Sequence, residues 1–224
     1  MEVKLIDHMG SDLTVVNAAR VSFDKVSDWE EETDGPIIDY LKFEDEKLIR
    51  YLAKHNHWTP FGHCSLQFHI KAPIFVARQL VKHQIGLCWN EISRRYVDNE
   101  PEFYTVDVWR KRAENKKQGS DPNDTIEWVN RGERVGTVQL NVEYHALQGY
   151  NEMIKAGVAP EQARMILPQS MMTEWYWSGT LYAFARVCNL RCSSDAQIET
   201  KEVADKIAWK AARDFPISWE ALTS

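Results

Sequence analysis

The stretch SLQFHIKAPIFVARQLVKHQ, residues 65 to 84, changes its hydrophobic period part-way along. Leu66, Phe68 and Ile70 alternate with polar neighbours, which is the two-residue period of a half-buried strand. Pro73 then suits the first turn of a helix, and beyond it Phe75, Val76 and Leu80 fall on one helical face. Opposite them Arg78 and Lys82, and Gln79 and His83, stand four residues apart on a polar face. Gly86 is expected to end this helix. A strand that runs straight into a helix, each with one apolar side, calls for a sheet with helices laid on it.

The rest of the chain adds more helix than strand. FEDEKLIRYLAKH (43 to 55) places Leu48, Ile49, Leu52 and Ala53 at helical spacing. A long helix is predicted from the capping candidate Asn123 to Gly157, weakened inside by Gly132 and Gly136. Shorter helices are expected over PEQARMIL, with Pro160 in its first turn, and TLYAFARVCNL, then a terminal one from Asp195 to Asp214. KLIDH and TEWYWSG read as further strands, and RKRAENKKQGSDPND (110 to 124) as a surface loop. The expected fold class is α+β, one sheet covered by several helices, in a single domain over residues 1–224.

Composition removes several classes of function. With 44% hydrophobic and 27% charged residues the chain is an ordinary folding sequence, and a net charge of -6 disfavours sequence-independent nucleic-acid binding. No apolar run approaches the ~20 residues that span a bilayer, and MEVKLIDHMG lacks the pattern of a signal peptide, so a cytoplasmic protein with no membrane partner is expected. Cys64, Cys88, Cys188 and Cys192 form no C-x-x-C pair and are read as reduced thiols. His55, His57, His63 and Cys64 make an H-x-H-x5-H-C cluster without standard zinc spacing, so no metal site is assigned. Neither a dinucleotide-binding glycine fingerprint nor a P-loop is present.

Chemistry concentrates in KHQIGLCWNEISRRYVD, residues 82 to 98. Were the chain extended after Gly86, Glu91, Ser93 and Arg95 would share one side, and Asn90, Ile92 and Arg94 the other. Taken alone, such a run reads as a solvated surface. Arg164 stands in an apolar turn, ARMILP, and Arg191 ends an apolar helix, where capping of carbonyls is an equal reading.

Five ordered blocks together carry a family likeness: MGSDLTVVNAARVSFD, HWTPFGHCSLQFHIKAPIFVARQ, NEISRRY, ARMILPQSMMT and NLRCSSDAQIE. The chain resembles the flavin-dependent thymidylate synthases nearly end to end. Asn90, Glu91, Ser93 and Arg95 match the second half of that family's signature, while Lys82-His83-Gln84 replaces its Arg-His-Arg and the spacer is one residue longer. The resemblance implies a deoxyuridine monophosphate (dUMP) site of Gln79, Glu91, Ser93, Arg94, Arg95, Arg164 and Arg191, with Arg191 and Gln79 catalytic. It implies an FAD site of His57, Thr59, Lys82, His83, Gln84, Asn90, Thr180 and Arg186, with Thr180 where an asparagine, Arg186 where a histidine or asparagine, and Gly62 where a glutamate is usual. NADPH and 5,10-methylenetetrahydrofolate are the implied co-substrates, dTMP the product, and a homotetramer the assembly. Lysine keeps the charge of arginine without its planar fork and Gln84 loses it, so a remodelled flavin pocket is expected, with Arg186 able to restore one charge. The alternatives are a different C5 modification, such as hydroxymethylation, and a nucleotide-binding homologue without catalysis.

Overall fold

The computed structural model describes residues 1–31, 39–97, 99–113, 120–130 and 132–224. Strand β1 (Glu2–Met9) leads into α1 (Asp12–Arg20). Two short strands, β2 (Glu30–Glu31) and β3 (Asp39–Tyr40), pair with each other ahead of α2 (Phe43–Lys54). β4 (Ser65–Pro73) passes directly into α3 (Ile74–Leu80), and β5 (Leu87–Glu91) follows. β6 (Arg110–Arg112) and β7 (Ser120–Thr125) form a separate antiparallel pair before α4 (Val135–Lys155). The chain closes with the one-turn α5 (Pro160–Ala163), β8 (Met172–Thr180), α6 (Leu181–Arg191), α7 (Ile198–Asp214) and α8 (Pro216–Thr223).

The main sheet is antiparallel with strand order β1-β4-β8-β5. Alternation along β4 buries Leu66, Phe68, Ile70 and Ala72 on one face, where β8 adds Trp175 and Trp177 in register. Helix α6 seats Leu181, Phe184 and Cys188 on that face, with the Phe184 ring 5.0 Å from Phe68 and 5.2 Å from Trp177. Emptying a site such as Phe68 would cost about 3–5 kcal/mol. The expected α+β architecture therefore forms. No helix among the described residues is long and apolar enough to cross a membrane.

Glycine fixes how β5 joins the sheet. A Cβ on Gly179 would lie 2.4 Å from the Gly86 carbonyl and 2.5 Å from the Leu87 side chain, so β5 approaches β8 only over a bare backbone. Gly86 itself has φ +77, which a side chain would strain. On the other side of the molecule Asp12, 3% exposed, accepts from the backbone N–H groups of Ile217 and Ser218 at 2.9 Å each. That carboxylate satisfies donors at the start of α8, tying the last helix to the first.

Several boundaries differ from the sequence reading. The long helix begins at Val135, not Asn123, which lies in β7; Gly132 at φ +74 turns the chain between them. The polar stretch 110–124 contains β6 and nearly all of β7 instead of being loop throughout, and residues 114–119 of it lie outside the described residues. Helix α3 stops at Leu80, so Lys82 and His83 sit in the turn beyond it and not on its polar face. The extended run after Gly86 ends at Glu91; residues 94–96 form a turn in which the Tyr96 N–H donates to the Ser93 carbonyl at 3.0 Å. The terminal helix starts at Ile198 instead of Asp195, and α1 and α8 carried no sequence expectation.

Candidate active site

Helix α3 divides the candidate residues. On one side Arg78 faces a cleft of about 470 Å³, joined there by Glu91 from the end of β5, Arg94 and Arg164. On the other, Gln79 faces a cleft of about 630 Å³ with Lys82, Arg110 and Arg191.

The first cleft orients its acid and leaves its bases open. Glu91 accepts from the Thr173 hydroxyl at 2.7 Å and from the Trp89 indole N–H at 3.2 Å, and Trp89 stacks on Trp175 with centroids 4.4 Å apart. Arg94 donates to the Asn99 carbonyl and Arg164 to the Glu161 carbonyl at 3.3 Å. Among the described residues neither meets a carboxylate within ion-pair distance, and Arg78 has no hydrogen-bond partner among them either.

The second cleft is braced. The Arg191 Nε–H donates to His83 Nε2 at 3.0 Å, so that nitrogen is unprotonated and the ring proton belongs on Nδ1. Burial lowers the His83 pKa from its ordinary 6.5, and the positive charges of Arg191 and Arg186 lower it further. His83 is thus a neutral acceptor at physiological pH. Gln79 donates from Nε2 to Gln197 Oε1, and its own Oε1 accepts from the Thr200 hydroxyl at 3.1 Å. Arg110 holds Glu199 in a salt bridge and donates to the Ser120 hydroxyl at 2.7 Å.

Ser93 and Arg95 line neither cleft. Their turn is exposed at Arg95, whose Nε–H donates to Ser93 Oγ at 3.3 Å while its guanidinium lies 5.0 Å from the Tyr96 ring centroid. Among the flavin-side candidates, Arg186 lines a third cleft of about 530 Å³ with Arg50, Lys54, Asn56 and Tyr182. His57 is exposed beside Tyr51 and His55, with ring separations of 6.0 and 6.3 Å. Thr59 precedes the turn that carries Gly62, where a Cβ would meet only the Trp58 ring at 3.5 Å. Thr180 accepts from the Ala183 N–H at 3.2 Å and so caps α6. Gln84 and Asn90 are exposed. No group of three or more metal-ligating side chains occurs among the described residues.

Among the cleft residues that the sequence reading did not assign to a site are Arg78, Arg110, Gln197 and Glu199. Arg78 was legible as part of a polar helix face, and Gln197 and Glu199 stand in the NLRCSSDAQIE block. Arg110 sits in a stretch whose charge density disguised it as loop.

Comparison with known proteins places the chain in a family. Residues 4–217 match the model for the thymidylate synthase complementing protein family. The flavin-dependent thymidylate synthase of Thermus thermophilus is 37% identical over 98% of this chain and 74% of its own length. That of Thermosipho africanus is 36% identical over 98% of this chain and 89% of its own. A crystal structure of the UMP/dUMP methylase PolB from Streptomyces cacaoi bound with 5-Br dUMP superposes with a TM-score of 0.80 at 30% identity, covering 99% of this chain and 94% of that one. The chain belongs to the thymidylate synthase complementing protein family, that of the flavin-dependent thymidylate synthases.

Proposed function

We propose that this protein is a flavin-dependent thymidylate synthase, acting in the cytoplasm as one domain over its 224 residues, that methylates dUMP to dTMP. Methylenetetrahydrofolate supplies the carbon and NADPH the reducing equivalents, with FAD between. Family membership sets the reaction class, and the observation that carries the residue assignment is the second cleft, where Arg191, Gln79 and Lys82 converge. Activation of the uracil at C5 builds negative charge on its carbonyl oxygens, and donors already in place stabilise that charge with little reorganisation. Arg191, held by a neutral His83, and Gln79 take this role. Glu91, fixed by Thr173 and Trp89, accepts from the nucleotide, and Ser93, Arg94, Arg95 and Arg164 take the phosphate. These last groups lie away from Arg191 in one chain, so a site that uses them all is completed between subunits of a homotetramer.

The residues present fit a flavin. Lys54 and Arg186 have no carboxylate partner among the described residues and share a cleft with the Tyr182 ring, a set suited to a pyrophosphate and an aromatic ring. Lys82, His83, Gln84, Asn90, His57, Thr59 and Thr180 are the further candidates to hold it. Arg186 acts on His83 electrostatically, which favours the view that it offsets the charge missing at Gln84. When bound, FAD supplies the hydride for reduction of the C5 substituent.

Incubation of the protein with dUMP, methylenetetrahydrofolate, NADPH and FAD should yield dTMP. A polar C5 product, or none, would overturn the assignment. The likeness to a methylase also solved with 5-Br UMP favours a second reading, in which UMP is methylated as well, and running the same assay with UMP decides it.

A further inference from the structure

Gln79 sits at one end of a hydrogen-bonded chain that runs to the β6–β7 pair. Arg110 donates to Glu199 Oε1, and Gln197 Nε2 donates to Glu199 Oε2 at 3.2 Å. Gln197 Oε1 accepts from Gln79 Nε2, and Gln79 Oε1 accepts from the Thr200 hydroxyl at 3.1 Å. A primary amide has a donor end and an acceptor end, and either can face a partner unless something fixes the choice. Glu199 fixes it. An ionised carboxylate only accepts, so Gln197 must show it the NH2 group, which leaves the Gln197 oxygen toward Gln79 and requires the NH2 of Gln79 in return. Thr200, fully buried, then donates its hydroxyl to the Gln79 oxygen and holds the amide in place from the other end. A flipped Gln79 would set two amide oxygens against each other, whereas the Thr200 hydroxyl, able to donate or accept, would follow either orientation. The chain of partners uses one N–H of Gln79 and leaves the second.

We propose that Glu199, Gln197 and Thr200 are positioning residues that lock the Gln79 amide so that it presents an N–H to the cleft, selecting a bare acceptor oxygen on the nucleotide. The inference rests on the nucleotide-binding reading above and adds a basis for discrimination. Uracil carries a carbonyl oxygen at C4, whereas cytosine carries an amino group there, which would face the locked N–H donor to donor. A phosphate oxygen is the other acceptor that the same N–H can serve, and the two are separable by experiment.

Binding of dUMP, dCMP and deoxyuridine would be measured by calorimetry on the FAD-supplemented wild type, Glu199→Gln and Thr200→Val, with thermal melts to verify folding. Glu199→Gln lets the Gln197 amide turn either way, and Thr200→Val removes the hydroxyl donor with little change of volume. Each is expected to weaken dUMP by about three- to tenfold, the loss of one directed hydrogen bond, and to shrink the preference for dUMP over dCMP by a similar factor. If dUMP and dCMP weaken equally and deoxyuridine is unaffected, the lock holds and the acceptor is a phosphate oxygen. Folded variants that bind every ligand as the wild type does overturn the proposal. Should Glu199→Gln fail to fold, Thr200→Val decides alone. A wild type with no affinity for dUMP overturns the nucleotide reading itself, and this inference with it.

Discussion

On the side of α3 that carries Gln79, Arg191 leans on His83 and Arg110 on Glu199, whereas on the side that carries Arg78 the guanidiniums of Arg78, Arg94 and Arg164 meet no carboxylate among the described residues. The braced side suits catalysis, because donors held by the protein need not move as charge develops. The open side suits capture, because a cation without a carboxylate partner gains most from an anion that arrives with its ligand. One short helix thus separates preorganised groups from waiting ones.

Removing a brace should have the largest effect. Arg110→Ala leaves Glu199, 6% exposed, without its counter-charge, and a thermal or denaturant melt should show a loss of about 3–5 kcal/mol. Burial raises the Glu199 pKa, but the Arg110 hydrogen bond and charge, its own backbone N–H and Gln197 outweigh that and hold the carboxyl below its ordinary 4.5. A depressed carboxyl stabilises the fold above the unfolded value of 4.5 and loses that contribution as pH falls through the lower folded value. The variant should lose this part of the acid sensitivity. An unchanged melt would show that the braced side is not braced.

Arg191→Ala should come next, with kcat for dTMP formation reduced roughly 100- to 1000-fold, the effect of removing one donor to a developing oxyanion. On the open side Arg164→Ala and Arg95→Ala should act on binding instead, weakening dUMP by about 1.5–3 kcal/mol in calorimetry. An unchanged dissociation constant would remove that arginine from the phosphate site. Equal effects on kcat from both sides would erase the distinction between them.

Acid should disturb the braced side first. His83 accepts from Arg191 only while neutral, and its folded pKa lies below 6.5, so its contribution to stability and to Arg191 placement is complete above 6.5 and lost as pH falls through the folded value. The acid limb of kcat against pH should accordingly lie below 6.5, and His83→Asn, which accepts without titrating, should remove it. The smallest effect belongs to Lys111, one residue from Arg110, whose 3.0 Å bridge to Asp124 is about half exposed on both sides. Lys111→Ala should cost ~0–1 kcal/mol in the same melt. A larger loss would mean that the hairpin, and not the buried carboxylate, is what Arg110 sustains.

Legibility in the sequence followed locality. The strand-to-helix run of β4 and α3 was plain because its periods are local and strong, and α6 because its apolar length stands out. The turn at Ser93 was not, since ISRRY contains neither glycine nor proline to announce it. The start of α4 was misplaced because Gly132 reads as a weak helix position until its φ of +74 is seen. Asp12 reaches α8 and Gln79 reaches Thr200 across sequence separations of 206 and 121 residues, which no local pattern encodes. The candidate site residues rest on motif likeness; their division by α3 is a matter of packing.

A crystal structure of the assembled protein with dUMP bound would decide whether the two clefts serve one ligand. One nucleotide should be touched by Arg191 and Gln79 of one subunit and by Arg164 or Arg95 of another, so that the open and braced clefts close on the same ligand. A nucleotide held in a cleft of one subunit alone, with Arg164 and Arg95 facing solvent throughout the assembly, would contradict it.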